Sequence, residues 1–133
     1  MKHLLVLLLC MAGFTMSAFA QTPADTVKLV TRPEKTPEFK GGAVGWINFL
    51  QKNLDRDLLR GKNAPSGQFR VIANFVVNVD GTVSDIHIEE DAGYGTGEET
   101  KRILKKSSRQ WIPAYDKGQA VAFRHTQSLT FTN

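Results

Sequence analysis

Three side chains able to bind a metal alternate along one stretch of the sequence: Asp85, His87 and Glu89. Alternate residues of a β-strand project from the same face about 7 Å apart. A zinc ion, which is held at about 2 Å by its ligands, would therefore need further ligands from elsewhere in the chain. A solvated outer face of a strand explains the pattern better, and we expect no metal site here.

His125 is the next residue with catalytic chemistry, because an imidazole can act as a general base. It has no nucleophile to activate: the only cysteine is Cys10, and no serine lies in a nucleophile-elbow motif. It lies on an otherwise apolar strand face. We therefore interpret it as a histidine at the edge of the core, hydrogen-bonded to a neighbour.

The glycine-rich stretch "GYGTG", residues 93–97, precedes a predicted helix as phosphate-binding loops do. It lacks the GxGxxG and GxxxxGK[ST] spacings. It also follows three acidic residues, Glu89, Glu90 and Asp91, which would repel a phosphate. The sequence thus favours neither an enzyme nor a bound cofactor.

Three strands are predicted to position these residues. The strongest signal is "QFRVIANFVVNV", residues 68–79, in which apolar side chains recur with a period of two. Asp80-Gly81 then predicts a tight hairpin turn of type I′, which needs positive φ at both central residues. "TVSDIHIEE" returns as the second strand. "QAVAFRHTQSLTF", residues 119–131, predicts a third strand, placed at an edge of the sheet by its polar residues.

Two helices are also predicted. In the first, a stripe recurs every three or four residues and is assigned to the core: Val44, Ile47, Leu50, Leu54 and Leu58. Trp46 and Phe49 lie beside this stripe, and either widen the core face or form an exposed patch for a partner. In the second, Thr96 and Glu99 predict a capping box. Trp111 closes its apolar stripe and Pro113 prevents its continuation.

The order helix, strand, strand, helix, strand indicates an α+β domain, with a small antiparallel sheet of about three strands and two helices on one face. Residues 1–20 read as a signal peptide, residues 21–37 as a short linker and residues 38–133 as the domain. Lys2, an apolar run and Ala18-Phe19-Ala20 before Gln21 fit export and cleavage, and place the mature chain in the periplasm. The alternative is an uncleaved membrane anchor.

The composition of the mature chain indicates neither a disulfide-stabilised protein nor a nucleic-acid-binding protein. Cys10 lies within the signal peptide, so the mature chain has no cysteine for a disulfide and must rest on its apolar core. Cleavage removes Lys2 and leaves 16 basic against 13 acidic residues, a net charge of +3. This mild charge gives no indication of nucleic-acid binding.

Three stretches carry a resemblance to a known family: "PEFKGG" followed by "INFLQKNL", "FVVNVDGTVSDIHI", and "WIPAYDKGQAVAFRHTQSLTF". Together, from Pro37 to Phe131, they resemble the C-terminal domain of TonB, the periplasmic energy transducer, in the form common in Bacteroidetes. The resemblance implies a function in transport across the outer membrane. The domain would bind an extended segment of an outer-membrane receptor, or of another envelope protein, by adding it as a strand to the edge of the last strand.

By position, this edge runs from Ala120 to Phe131. The residues expected to contact the partner are Ala120, Val121, Ala122, Phe123, Arg124, His125 and Thr126. Four others are expected to be structural: Asp80 and Gly81 in the hairpin turn, and Trp111 and Pro113 where the second helix ends. A homodimer is also compatible with an open edge.

The short linker separates this chain from a full energy transducer. Residues 21–37 reach at most about 60 Å when fully extended. We therefore expect a free periplasmic binding module. The two alternatives are an anchored transducer with an uncleaved N-terminus, and an envelope-associated structural protein without a transport role.

Overall fold

The computed structural model describes residues 28–133 of the chain, so the predicted signal peptide and the first part of the predicted linker lie outside the described residues. The elements follow in the order β1 (Glu38–Phe39), α1 (Gly42–Asn53), α2 (Leu58–Gly61), β2 (Gln68–Val77), β3 (Val83–Glu90), α3 (Thr96–Lys106), β4 (Trp111–Ile112), β5 (Ala114–Asp116), β6 (Gln119–Val121) and β7 (Phe123–Thr132).

The main sheet has three antiparallel strands in the order β3-β2-β7. Two small antiparallel pairs, β1 with β4 and β5 with β6, accompany it. The predicted α+β class is confirmed, and the predicted elements are present as α1, β2, β3, α3 and β7. The short helix α2, as a separate element, and the short strands β1, β4 and β5 were not predicted, whereas β6 was predicted as the start of the third strand. They carry too few residues for a periodic signal.

The core lies on one face of the main sheet. The period-two pattern of β2 is confirmed, because Val71, Ala73, Phe75 and Val77 are fully buried. They pack with Ile103 and Leu104 of α3 and with residues of α1 and α2. Burial of each of these valine, leucine, isoleucine and phenylalanine side chains contributes about 1.5–3 kcal/mol. The opposite face of the sheet is largely polar.

The predicted core stripe of the first helix is wrong at Val44 and Ile47 but confirmed at Leu50, Leu54 and Leu58, which pack against the core. Leu54 and Leu58 lie beyond the end of α1 at Asn53. Val44 and Ile47 are 68% and 51% exposed, whereas Trp46 and Phe49 are only 9% and 8% exposed. Gly45 explains this orientation, because a Cβ at this position would lie 2.2 Å from the carbonyl oxygen of Lys40. The glycine lets α1 approach the backbone after β1, and Trp46 and Phe49 then enter the core.

The turn between β2 and β3 also differs from the prediction. Gly81 has a φ of 79°, but Asp80 does not have positive φ, so the turn is not type I′. The N–H of Asn78 donates to the Thr82 carbonyl at 2.9 Å, and that of Gly81 donates to the Asn78 carbonyl at 2.9 Å. These bonds define a three-residue hairpin loop with glycine in the left-handed position. Asp80 stabilises it by accepting a bond from the Thr82 N–H at 3.1 Å.

Helix α3 ends earlier than predicted, at Lys106, and Pro113 is not its terminator. Arg109 takes a φ of 72°, and the N–H of Gln110 donates to the Ser107 carbonyl, so the chain turns before Trp111. Trp111 belongs to β4, where it pairs with Phe39, and its indole Nε1 donates to Ser107 Oγ at 2.9 Å. Pro113 separates β4 from β5.

Part of the segment assigned to a linker packs against the domain. The N–H of Val30 donates to the carbonyl of Ala122 at 3.2 Å, and Lys35 exchanges two backbone hydrogen bonds with Tyr115. Pro37 is buried. The folded unit therefore begins before residue 38, because these residues continue the pairing that β1 makes with β4.

Candidate functional site

Strand β7 is confirmed as an edge strand of the main sheet. All ten of its residues pair with β2, from Phe123 opposite Val77 to Thr132 opposite Gln68. Within residues 28–133, no strand pairs with its other side. An edge of this length presents unpaired backbone groups to which another strand can add.

The hydrogen bonds at the end of β7 determine which backbone groups face outward. Asn133 and Gly67 exchange two backbone bonds, at 3.0 and 3.4 Å, in the register that β7 keeps with β2. Hydrogen-bonded pairs alternate in an antiparallel ladder. The odd-numbered residues of β7 therefore bond β2, and the even-numbered residues direct their N–H and C=O groups to the free edge: Arg124, Thr126, Ser128, Thr130 and Thr132.

This alternation of backbone directions, together with the strand boundaries, corrects part of the set of residues predicted to contact the partner. Ala120 and Val121 belong to β6 and pair with Tyr115 and Ala114 of β5. Phe123 and His125 direct their backbone groups to β2. A single continuous strand was predicted where the chain breaks between β6 and β7, because no glycine or proline marks the break.

Ala122 lies at this break, and its carbonyl already accepts the N–H of Val30. Of the seven predicted residues, Arg124 and Thr126 direct both backbone groups to this edge, and neither pairs there with another strand within residues 28–133. The free edge continues beyond the predicted set to Thr132.

Helix α1 flanks this edge, and two surface cavities lie between it and β7. The first, here the His125 subsite, has a volume of about 240 Å³ and is lined by residues that include Phe39, Ala43, Trp46, Trp111, His125 and Gln127. The second, here the Phe131 subsite, has a volume of about 570 Å³ and is lined by residues that include Gln51, Leu54, Leu59, Thr130, Phe131 and Thr132. Sequence reasoning missed both subsites, because they depend on the orientation of α1.

His125 contributes its ring to an aromatic cluster rather than to catalysis. Its ring centroid lies 5.5 Å from that of Trp111 and 5.6 Å from that of Phe75. Nε2 lies 3.3 Å from Gln127 Oε1. Burial lowers the pKa of His125 below its usual value, and the bond to Gln127 only partly offsets this. The imidazole is therefore neutral at neutral pH.

The lowered pKa of His125 predicts a pH dependence of stability. Between the folded pKa and the unfolded value of about 6.5, the unfolded chain binds more protons, so the free energy of unfolding falls as the pH falls through this window. Urea unfolding between pH 7.5 and 5 should show a shallower pH dependence in His125→Gln than in the wild type. Equal pH dependence in both proteins would contradict the assignment.

The outer face of the sheet carries a polar network beside the edge. Arg124 pairs with the carboxylate of Asp85 and donates to Asn74 Oδ1 at 2.8 Å. His87 Nε2 lies 2.8 Å from the other oxygen of Asp85. The bonds from Arg124 and His87 lower the pKa of Asp85. A φ of 48° at Asp85, where the β2–β3 register shifts, marks the bulge that carries this carboxylate.

This network leaves Asp85, His87 and Glu89 engaged with protein partners. Glu89 accepts a hydrogen bond from the amide of Asn74. Among residues 28–133, no group of three or more His, Cys, Asp or Glu residues is placed to hold a metal ion.

The side chain of Asp91 forms hydrogen bonds within the glycine-rich loop before α3. The Asp91 carboxylate accepts the N–H of Gly93 at 2.8 Å and lies 3.3 Å from Thr96 Oγ1. The predicted capping box is wrong, because Gly95 is the N-cap and makes no side-chain cap. The Gly93 N–H is therefore already bonded to a carboxylate of the same loop.

Glu99 instead fixes the loop after α1. Its carboxylate accepts the N–H of Asp55 at 2.9 Å and pairs with Arg102, which also donates to the Asn53 carbonyl at 2.6 Å. Burial alone would raise the pKa of Glu99, but these hydrogen bonds outweigh it and the pKa is lowered. The contact holds the α1–α2 loop, which forms one wall of the Phe131 subsite.

No protein-family model matches this chain, and no curated protein is significantly similar to it. Within the described part of the chain, no helix is long and apolar enough to cross a membrane.

Proposed function

We propose that this domain is a periplasmic binding module that takes up an extended segment of another envelope protein as a fourth strand beside β7. The observation that carries the proposal is the edge of β7, which no strand of the described residues 28–133 covers and which has outward backbone groups on alternate residues from Arg124 to Thr132. Main-chain hydrogen bonds supply much of the affinity in this mode of recognition.

The flank of the edge supports the same proposal. Val44 and Ile47 of α1 are exposed, and the two subsites provide apolar walls on the helical side of the edge. An added strand would therefore bury side chains as well as pair its backbone. The resemblance to the C-terminal domain of TonB suggests the partner: the periplasmic segment of an outer-membrane receptor, with a role in transport across that membrane.

A proline at Ser128 tests the proposal. Ser128 directs its N–H to the free edge, so Ser128→Pro removes one outward donor and leaves the bonds between β7 and β2 in place. We expect affinity for peptides from receptor N-terminal segments to fall at least about tenfold, with loss of a donor and obstruction of the pairing by the proline ring. Calorimetric titration of purified proteins measures this.

The matched control is Ser128→Ala, which retains the N–H at the same position. Ser128 is exposed, so this substitution should leave both the fold and the affinity unchanged. A folded Ser128→Pro variant that binds as tightly as Ser128→Ala would refute strand addition at β7.

A further inference from the structure

The two subsites lie at opposite ends of the same strand edge. His125 and Gln127 contribute to one, and Thr130, Phe131 and Thr132 contribute to the other. Between them, Leu129 is buried in the core. Each subsite has α1 in its second wall, through Ala43 and Trp46 at one end and, together with the α1–α2 loop, through Gln51 at the other.

Strand geometry predicts the spacing between the two ligand side chains that would enter the subsites. Residues directly opposite one another in neighbouring strands project to the same face of a sheet. The side chains of an added strand that lie opposite Gln127 and Phe131 would therefore enter the two subsites. These positions are four residues apart, about 13 Å along a strand. The side chains between them at alternate positions would face the polar outer side.

The walls of the subsites define the chemistry of the occupants. The lining of the His125 subsite includes three aromatic residues, Phe39, Trp46 and Trp111, beside a neutral imidazole, with Glu38 and Gln127 as its charged and polar members. A cavity of roughly 150 Å³ is enough to hold a benzene molecule, so 240 Å³ accommodates one aromatic or branched aliphatic side chain. The Phe131 subsite is larger. Leu54, Leu59 and Phe131 are its apolar members, and the rest of its lining is polar or charged: Gln51, Asp55, Arg56, Thr130 and Thr132.

We propose that the edge of β7 selects extended segments with apolar side chains at positions i and i+4, one for each subsite. This inference rests on the proposed strand addition and specifies its ligand class. Backbone pairing fixes the segment on the edge, and the two subsites fix its register. The side chains of the added strand on the outer face, which also carries Thr126 and Ser128, remain polar.

A library of random twelve-residue peptides displayed on phage tests the inference with the full mature chain as the target. Three variants of α1 accompany the wild type. Ala43 and Gln51 are exposed residues that line the His125 and Phe131 subsites, so Ala43→Phe and Gln51→Phe each fill one subsite from the helix. Asn48→Phe adds the same bulk at an exposed position of α1 that faces neither subsite.

The inference predicts that the selected peptides carry apolar residues four positions apart. Each subsite variant should weaken their binding about tenfold, as expected when one apolar side chain loses its contact. Ala43→Phe should remove the preference at one of the two positions, Gln51→Phe the preference at the other, and Asn48→Phe neither.

Two other outcomes are distinguishable. Peptides that lose binding in Ser128→Pro but show no four-residue spacing, or bind both subsite variants normally, would overturn the spacing and leave strand addition intact. Peptides that bind Ser128→Pro and Ser128→Ala equally, or a library that yields no enriched sequence, would overturn strand addition and this inference together.

Discussion

Replacing Trp111 by alanine should destabilise the domain by about 3–5 kcal/mol, the range measured when a buried tryptophan or phenylalanine is truncated. The side chain is 3% exposed and contacts aromatic rings from four parts of the chain. Its ring centroid lies 5.2–5.6 Å from those of Phe39, Trp46, Phe75 and His125. Urea unfolding followed by circular dichroism measures the loss.

A second variant at this position separates packing from hydrogen bonding. Trp111→Phe retains an aromatic ring but loses the bond from Nε1 to Ser107, so it should cost less than the alanine variant. Trp111 also forms part of the His125 subsite. An alanine variant with wild-type stability that no longer binds peptides would show that Trp111 is a contact residue and not a structural one.

Replacing Gly81 by alanine should cost about 3 kcal/mol or more, for two reasons that act together. The residue adopts a φ of 79°, which costs an L-residue about 1–2 kcal/mol. A Cβ would also lie 2.4 Å from the carbonyl oxygen of Trp111, so the backbone must move. The Gly81 carbonyl accepts the N–H of Arg109 at 2.9 Å, and this contact would shift with it. Thermal and urea unfolding measure the effect.

Gly118 provides the control for Gly81. It has a similar φ of 75°, but no atom lies within 4 Å of the position of an added Cβ. Gly118→Ala should therefore show only the conformational cost, and Gly81→Ala a clearly larger one. Equal destabilisation by the two substitutions would refute the close approach between the hairpin turn and Trp111.

The sequence correctly predicted those elements in which the periodic apolar residues are the ones buried in the core. The alternation in β2 was correct because the same face is buried along its length. The stripe predicted for α1 was wrong at Val44 and Ile47, because apolar residues occupy two faces of this helix. The buried face was decided by Gly45, whose close approach to Lys40 cannot be recognised from hydrophobicity. Gly41, Gly42 and Gly45 together were the available signal.

The sequence predicted the candidate edge but placed its start too early in the chain. The last strand was correctly placed at an edge, because polar residues are spread along it. Its start was not, since the break at Ala122 depends on β6 pairing with β5 and on Val30 bonding to Ala122. The two subsites require the positions of α1 and β7 relative to one another, which no local pattern contains.

Amide hydrogen exchange along β7 tests the central claim most directly. In the free domain, the amides of Thr126, Ser128, Thr130 and Thr132 should exchange fast, and those of their odd-numbered neighbours slowly. Saturation with a peptide selected from the displayed library should slow exchange at the four even-numbered positions. Protection that instead falls on β3, on the β5–β6 hairpin or on the helices, with these four amides unchanged, would contradict strand addition at β7.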